Sequence, residues 1–341
     1  TPGGIFPCLP PRHGAALKET TMTRSCISIE DVPLRGFHQK LTACAWGGSF
    51  VDGYVLSIIG VVMVQLSSAL YLDSFWEGLV AASALIGIFF GGLLGGWLTD
   101  RLGRRRILFV GPTIFLVASL AHYWVASAEV LFALRLLIGI AVGIEYPVAT
   151  SVLVEFLPRR HRGPRLAALA LMWFVGAACA YIVGELLLRS ASADAWRLAL
   201  ISGAVLGALL LLVRLGTPES PRWLLSKGRT AQAEQVIRRT YGPSFSLANL
   251  PEQTPQQRLS LYRLLRSGYA KRLFFVVVFW TCSIVPVFAV YAFAPKVLEA
   301  LRLSGDMGSL GSVAITLFFV LGCLIATWLV NHVGRRPMLI Y

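Results

Sequence analysis

Three ionisable residues stand in sequence that is otherwise hydrocarbon-like. Asp52 lies in "WGGSFVDGYVLSIIGVVM", Arg135 heads "RLLIGIAVG", and Glu145 falls in "GIEYPVATSVLV". A charged side chain inside a membrane-spanning segment is costly and by default marks a functional site. An acid beside a guanidinium stays ionised. Parted from it in apolar surroundings, the acid binds a proton, because desolvation disfavours its charge. A pair made and broken once per cycle would therefore couple proton movement to another event. The plainer alternative is a static ion pair that fixes helix contacts.

Spacing gives the depths. Asp52 is twelve residues beyond Lys40, or about 18 Å along a helix. Arg135 is twenty residues ahead of Glu155, or about 30 Å. The gap of about 10 Å is within reach of an Arg side chain and ordinary helix tilt. Glu145, ten residues below Arg135, is followed by Tyr146 and Pro147. The proline loosens the backbone there, which is tolerated where a cavity supplies partners. Glu145 is thus a second candidate for proton handling or substrate contact, the alternative being a kink whose carboxylate reaches water.

The elements that must position these groups are membrane helices. Of the 341 residues, 56% are hydrophobic and 14% charged, with a mean hydropathy of +0.69. Soluble domains carry about 25% charged residues. Eight apolar blocks are long enough to span, at 43–66, 79–98, 107–126, 131–154, 166–188, 198–215, 273–295 and 311–330, where about 20 helical residues suffice. None alternates with a period of two, which argues against a barrel. If the first block leaves the cytoplasm, the inward linkers hold 21 Lys and Arg against four outside, so the N-terminus is expected in the cytoplasm. The net charge of +14 is then topological, and no nucleic-acid partner is inferred. The six cysteines show no CxxC or metal-ligand spacing; neither a disulfide framework nor a metal or cofactor site is expected. No GxSxG, HExxH or P-loop pattern points to an enzyme.

One phrase occurs twice. "GGLLGGWLTDRLGRRRILFVG" (91–111) aligns with "GCLIATWLVNHVGRRPMLIY" (322–341) at an offset of 231, pairing Gly91 with Gly322, Trp97 with Trp328 and Gly103 with Gly334. Arg104 and Arg105 meet Arg335 and Arg336, while Asp100 meets Asn331. Each copy follows an inward-going span, so the period is one six-helix half of a repeated architecture. Arginines suit the electronegative end of a helix, and Gly95, Gly96 and Gly103 permit close backbone approach and a tight turn. Asp100 can pair with a neighbouring Arg or approach the positive start of an adjacent helix. This reads as a charged latch at the inner rim that favours one access state; simple anchoring by arginines is the alternative.

These residues resemble the major facilitator superfamily in its sugar-porter branch. The family pattern Gly-x-x-x-Asp-Arg-x-Gly-Arg-Arg is matched by Gly96, Asp100, Arg101, Gly103, Arg104 and Arg105. "RLLIGIAVG" (135–143), "EFLPRRHRG" (155–163) and "PESPRWLLSKGR" (218–229) are similar to further family motifs, and the resemblance covers about residues 40–341. "FVDGYVLSIIGV" and the fourth-span phrase look like bacterial inner-membrane metabolite transporters of this branch. The resemblance implies an all-α polytopic membrane protein, here with about eight of twelve spans. It implies a cytoplasmic segment (1–42), a six-helix bundle (43–215), a central linker (216–271) and the start of a second bundle (272–341). The chain is accordingly expected to lack spans nine to twelve, and translation is expected to begin at Met22.

The resemblance also assigns roles. An Asp of the first span and an Arg of the fourth, here Asp52 and Arg135, form the proton-coupling pair. Glu155, Arg159, Arg162, Glu219 and Arg222 join the inner-rim charge network. The hexose-binding amides do not carry over: aligned on Pro295, their positions hold Cys282, Ser283 and Phe288, and the fifth-span position holds Ala170. A hydroxyl-rich ligand needs those hydrogen bonds, so another small polar metabolite or organic anion is expected. Tyr146, Trp173, Trp280, Ser283, Phe288 and Tyr291 are the candidate cavity residues. The expected activity is alternating-access transport with proton symport by a monomer in the bilayer. The alternatives are proton-independent uniport or exchange, and a transporter-like nutrient sensor.

Overall fold

The computed structural model describes residues 28–189, 194–250, 268–300, 306–333 and 337. The expected segment before Met22, the linker at 251–267 and the second-copy residues Gly334, Arg335 and Arg336 lie outside the described residues. Every apolar block is helical. They form α1 (Gly36–Ala69), α2 (Ser74–Leu102), α3 (Arg104–Ala121), α4 (Ala128–Phe156), α5 (Arg159–Leu188) and α6 (Ala195–Arg214). Short helices α7 (Pro221–Ser226) and α8 (Thr230–Tyr241) follow, then α9 (Ala270–Ala300) and α10 (Asp306–His332). Among the described residues seven helices are long and apolar enough to cross a membrane. The remaining block lies in α4, which carries Arg135 and Glu145 in its buried face.

In a bilayer, helices gain no hydrophobic reward from meeting one another, so close packing of small residues must hold them together. The α2–α4 seam shows this. Gly87 and Gly91 face the backbone of Leu136 and Ile140, while Gly139 and Gly143 face that of Ala84 and Ile88. A Cβ at any of the four would collide with backbone, so the Gly139/Gly143 face of α4 is matched by a Gly87/Gly91 face on α2. α1 and α5 cross in the same way, Gly53 against Trp173 and Gly176 against Phe50. α3 packs on α6 and α4, α10 packs on α5, and α9 meets α1.

α1 is the axis of this arrangement. Its apolar window is 78% buried, against 33% for α2 and for α5 and none for α9. Side chains on the outer face of α2, including Phe89, Leu93 and Trp97, are exposed, as suits contact with lipid. Buried polar groups must therefore gather around α1, and they do.

Local signals set the helix ends. Asp73 caps α2 by accepting from the Trp76 N–H at 2.8 Å, and Ser127 caps α4. Gly103 joins α2 to α3 with φ +100°, a conformation that L side chains rarely adopt.

Candidate functional site

The buried polar groups form a column along α1. Asp52 sits at its centre, 2% exposed, with Oδ1 accepting no hydrogen bond. Buried polar atoms are nearly always partnered, so an orphan carboxylate oxygen asks for an explanation. One turn further along α1, Arg135 donates from Nη1 to the Val55 carbonyl at 2.6 Å and from Nη2 to that of Leu56 at 3.3 Å. One turn in the other direction, at Gly48, lies an ion pair that is almost entirely buried. Arg214 Nη1 donates to Glu145 Oε2 at 2.9 Å, and Nη2 donates to Oε1. Their side chains are 0% and 1% exposed.

Arg214 ties four helices together. Besides Glu145 on α4 it reaches the Leu108 carbonyl on α3 and the Cys44 carbonyl on α1. Glycine makes the room. A Cβ at Gly48 would stand 2.6 Å from Glu145 Oε1, and one at Gly111 would stand 2.8 Å from Oε2. Asp52 lies within electrostatic reach of both Glu145 and Arg214. Tyr146 on α4, half exposed, is within electrostatic reach of Asp52.

The expected Asp52–Arg135 pair is not formed. Arg135 is at the predicted end of α4, but its guanidinium binds backbone carbonyls about one helical turn, roughly 5 Å, beyond Asp52. The depth gap read from spacing has been only partly closed by side-chain length. Arg135 and Glu145 are brought to α1 as expected, but Glu145 arrives already paired. Its partner Arg214 escaped notice because it closes the sixth apolar block and counts as part of the basic inner linker. A signal was present: Gly203, Gly207, Leu210 and Arg214 fall on one buried helical face.

The cavity candidates are only partly assembled. Trp173 meets Phe288 edge-on, with centroids 5.6 Å apart. Ser283 bonds the Phe279 carbonyl of its own helix, and Trp280 is exposed. The side chain of Tyr291 lies outside the described residues.

At the rim where α2 turns into α3 the charges are shared differently from expectation. Arg104 bridges Asp100 at 3.1 Å and Glu155 at 3.2 Å. Asp100 does not reach a helix start; Glu219 does, accepting from the Arg104 N–H at 2.8 Å and the Arg105 N–H at 3.1 Å. Carboxylates are favoured at that end of a helix dipole. A Cβ on Gly103 would strike Glu219, so this glycine has both a conformational and a spatial reason. Gly96, by contrast, faces open space and mediates no close approach. Arg101 lies over the Trp97 ring at 5.0 Å, and the Arg105 side chain is exposed.

Arg159, Arg162 and Arg222 meet neither Glu155 nor Glu219. All three converge on Glu30, Arg222 at 2.8 Å and Arg162 at 3.3 Å. Glu30 belongs to a 3₁₀ turn (Ile29–Asp31) capped by Ser28, whose Ile29 and Val32 are buried against the bundle. Burial alone would push the Glu30 carboxyl up. Hydrogen bonds from Arg159 and Arg162, with their charges, outweigh it and hold the group below its ordinary 4.5. Sequence reading missed Glu30, because nothing in "SIEDVPL" distinguishes it from a solvated acid.

A bundle of long apolar helices, a buried charge column and an arginine-rich rim together fit a polytopic membrane transporter of the major facilitator superfamily. The family model described as Sugar (and other) transporter matches residues 41–341, and the chain belongs to that family. It is 39% identical over 315 residues to YaaU of Escherichia coli (strain K12), named for metabolite transport, covering 92% of this chain and 70% of that protein. It is 35% identical over 319 residues to the inner membrane metabolite transport protein YgcS of the same organism, covering 94% and 71%. The fold is similar to that of the xylose transporter XylE from E. coli in a partially occluded inward-open conformation. The TM-score is 0.73 at 23% identity, over 89% of this chain and 73% of that one. The protein is therefore a membrane transporter of the sugar-porter branch, not an enzyme.

Proposed function

We propose that the protein is a proton symporter of the bacterial inner membrane, its N-terminus cytoplasmic, moving a small polar metabolite or organic anion by alternating access. Asp52 is the proton carrier. The single observation that carries this is its buried carboxyl with an oxygen left unpartnered between guanidinium groups one turn away on either side. That is the environment of an acid holding a proton. Deprotonation would leave a bare charge in a sealed interior, which is relieved only if a guanidinium moves to it. Arg135 needs a shift of about one turn to do so, and movement of α4 against α1 would supply it. Two names support the reading: YgcS is an inner membrane metabolite transport protein, and XylE is a proton:xylose symporter. The missing amides at Cys282, Ser283 and Phe288 favour a ligand other than a hexose.

The test is uptake by the full-length polypeptide in proteoliposomes loaded with a pH dye, across a panel of labelled pentoses, polyols and short dicarboxylates. One class is expected to enter faster under an inward proton gradient and to acidify the lumen as it does. Asp52→Asn should abolish gradient-driven accumulation while leaving exchange. Uptake that ignores the gradient would mean uniport or exchange instead.

A further inference from the structure

The Glu145–Arg214 pair has a neighbour that an ordinary structural ion pair lacks. Asp52, a second buried carboxyl, stands one turn, about 6 Å, from the Gly48 backbone against which the pair is seated. Within this trio are two acids and one cation. A low-polarity interior tolerates neutral clusters and strongly penalises net charge. With no bound proton the trio carries −1, and with two it carries +1. Only with one is it neutral.

Arg135 is a further buried cation, set one turn from the trio; the remaining neighbours add no buried charge. Arg135 on α4 is engaged by the Val55 and Leu56 carbonyls on the far side of Asp52. Tyr146 on α4 is within electrostatic reach of Asp52 and is neutral. The Cys44 thiol on α1 donates to the Val213 carbonyl at 3.4 Å. Lys40 reaches the Leu215 carbonyl at 2.7 Å from the exposed end of α1. α5 meets α1 at Gly53, next to Asp52, with the backbone of Trp173, which has no charge.

We infer that Arg214 is a positioning residue for proton coupling: Asp52, Glu145 and Arg214 share one proton, and the acid that Arg214 leaves is the acid that holds it. This deepens the symport reading and rests on Asp52 as proton carrier. In the structure Arg214 grips Glu145, which puts the proton on Asp52. In the alternative arrangement the Asp52 O–H bond breaks, its electron pair stays on Asp52, and an O–H bond forms on Glu145. The guanidinium moves one turn to the new carboxylate. The trio's charge is zero before and after, so a proton moves toward the cytoplasmic end of α1 without exposing a bare charge.

The experiment is infrared spectroscopy of the protonated-carboxyl band in the full-length protein, reconstituted at neutral pH and recorded as wild-type-minus-variant differences. Asp52→Asn should remove one carboxyl from the band. Glu145→Gln should remove it too, although Asp52 is still present, because Arg214 then passes to Asp52. Glu145→Asp should keep it. A band that survives Glu145→Gln overturns the inference and leaves Asp52 answering to burial or to Arg135 alone. Should Glu145→Gln not fold, Arg214→Gln decides: both acids must then be neutral and the band should grow to about twice its size, whereas an unchanged band overturns the inference. Band loss in both acid variants together with gradient-independent uptake would uphold the shared proton and end the symport reading. Band persistence with gradient-driven uptake would do the reverse.

Discussion

Asp52 and Glu30 are both buried carboxylates, 2% and 7% exposed, yet they have opposite company. Glu30 is gripped by Arg159, Arg162 and Arg222, which come from two elements and leave it no reason to bind a proton near neutral pH. Asp52 has an oxygen with no partner at all, and the nearest guanidinium groups are committed elsewhere. An acid locked by several cations holds a shape. An acid left short of cations can change state. The rim is thus built to fasten the N-terminal segment and α7 to α5, while the column is built so that its charges can be reassigned.

The sharpest way to break this contrast is to remove Arg214. Losing one partner of a fully buried pair typically costs about 3–5 kcal/mol, and Arg214 also serves carbonyls on α1 and α3. Arg214→Met is expected to lower the thermal unfolding midpoint more than any rim substitution, read by intrinsic fluorescence in detergent. Adding Glu145→Met should restore much of the loss, since no charge is then left unpaired. If Glu30→Gln costs as much as Arg214→Met, the rim depends on its buried charge as heavily as the column does.

Next in size is the pH response of the rim. Because the Glu30 pKa is lowered from 4.5, its ionised form is favoured by folding. That contribution is fully present above 4.5 and is lost as the pH falls through the lowered value. Wild type should therefore exceed Glu30→Gln in stability by a constant margin at neutral and mildly acidic pH. The margin should close below 4.5. A margin that instead widened on acidification would show that the arginines do not hold Glu30 ionised.

Much of this was legible in sequence, and the limits have physical causes. All eight helices were readable because bilayer spans announce themselves by length and apolarity. Asp52, Arg135 and Glu145 were readable because charge is conspicuous in such segments. Partnership was not. Whether Arg135 reaches Asp52 depends on a helix offset of one turn, and spacing within α1 or α4 cannot report an offset between them. Arg214 was hidden by its place at a helix end, where basic residues usually face water. Glu30 was hidden because its three partners lie more than a hundred residues away and nothing local requires a buried acid. Gly48 explains itself only once the Glu145 carboxylate is seen where its Cβ would be.

The smallest expected effect sharpens the same comparison inside the rim. Asp100 is the acid of the repeated phrase, and its conspicuous place in the motif suggests importance to the fold. Its side chain is nevertheless 76% exposed, paired among the described residues with Arg104 four residues on, and such exposed pairs contribute about 0–1 kcal/mol. Glu219 lies outside that phrase but accepts from two backbone N–H groups at the start of α3, a capping role whose loss costs about 0.5–2 kcal/mol. Asp100→Ala should therefore shift the unfolding midpoint less than Glu219→Ala, and its effect should fade in high salt while that of Glu219→Ala persists. If Asp100→Ala nonetheless impairs uptake, the acid acts in a state other than this one, meeting a partner that rocking of the bundles brings to the rim. Equal and salt-sensitive losses in both variants would instead make Glu219 one more surface charge, and the α3 start would then be held by the Gly103 turn alone.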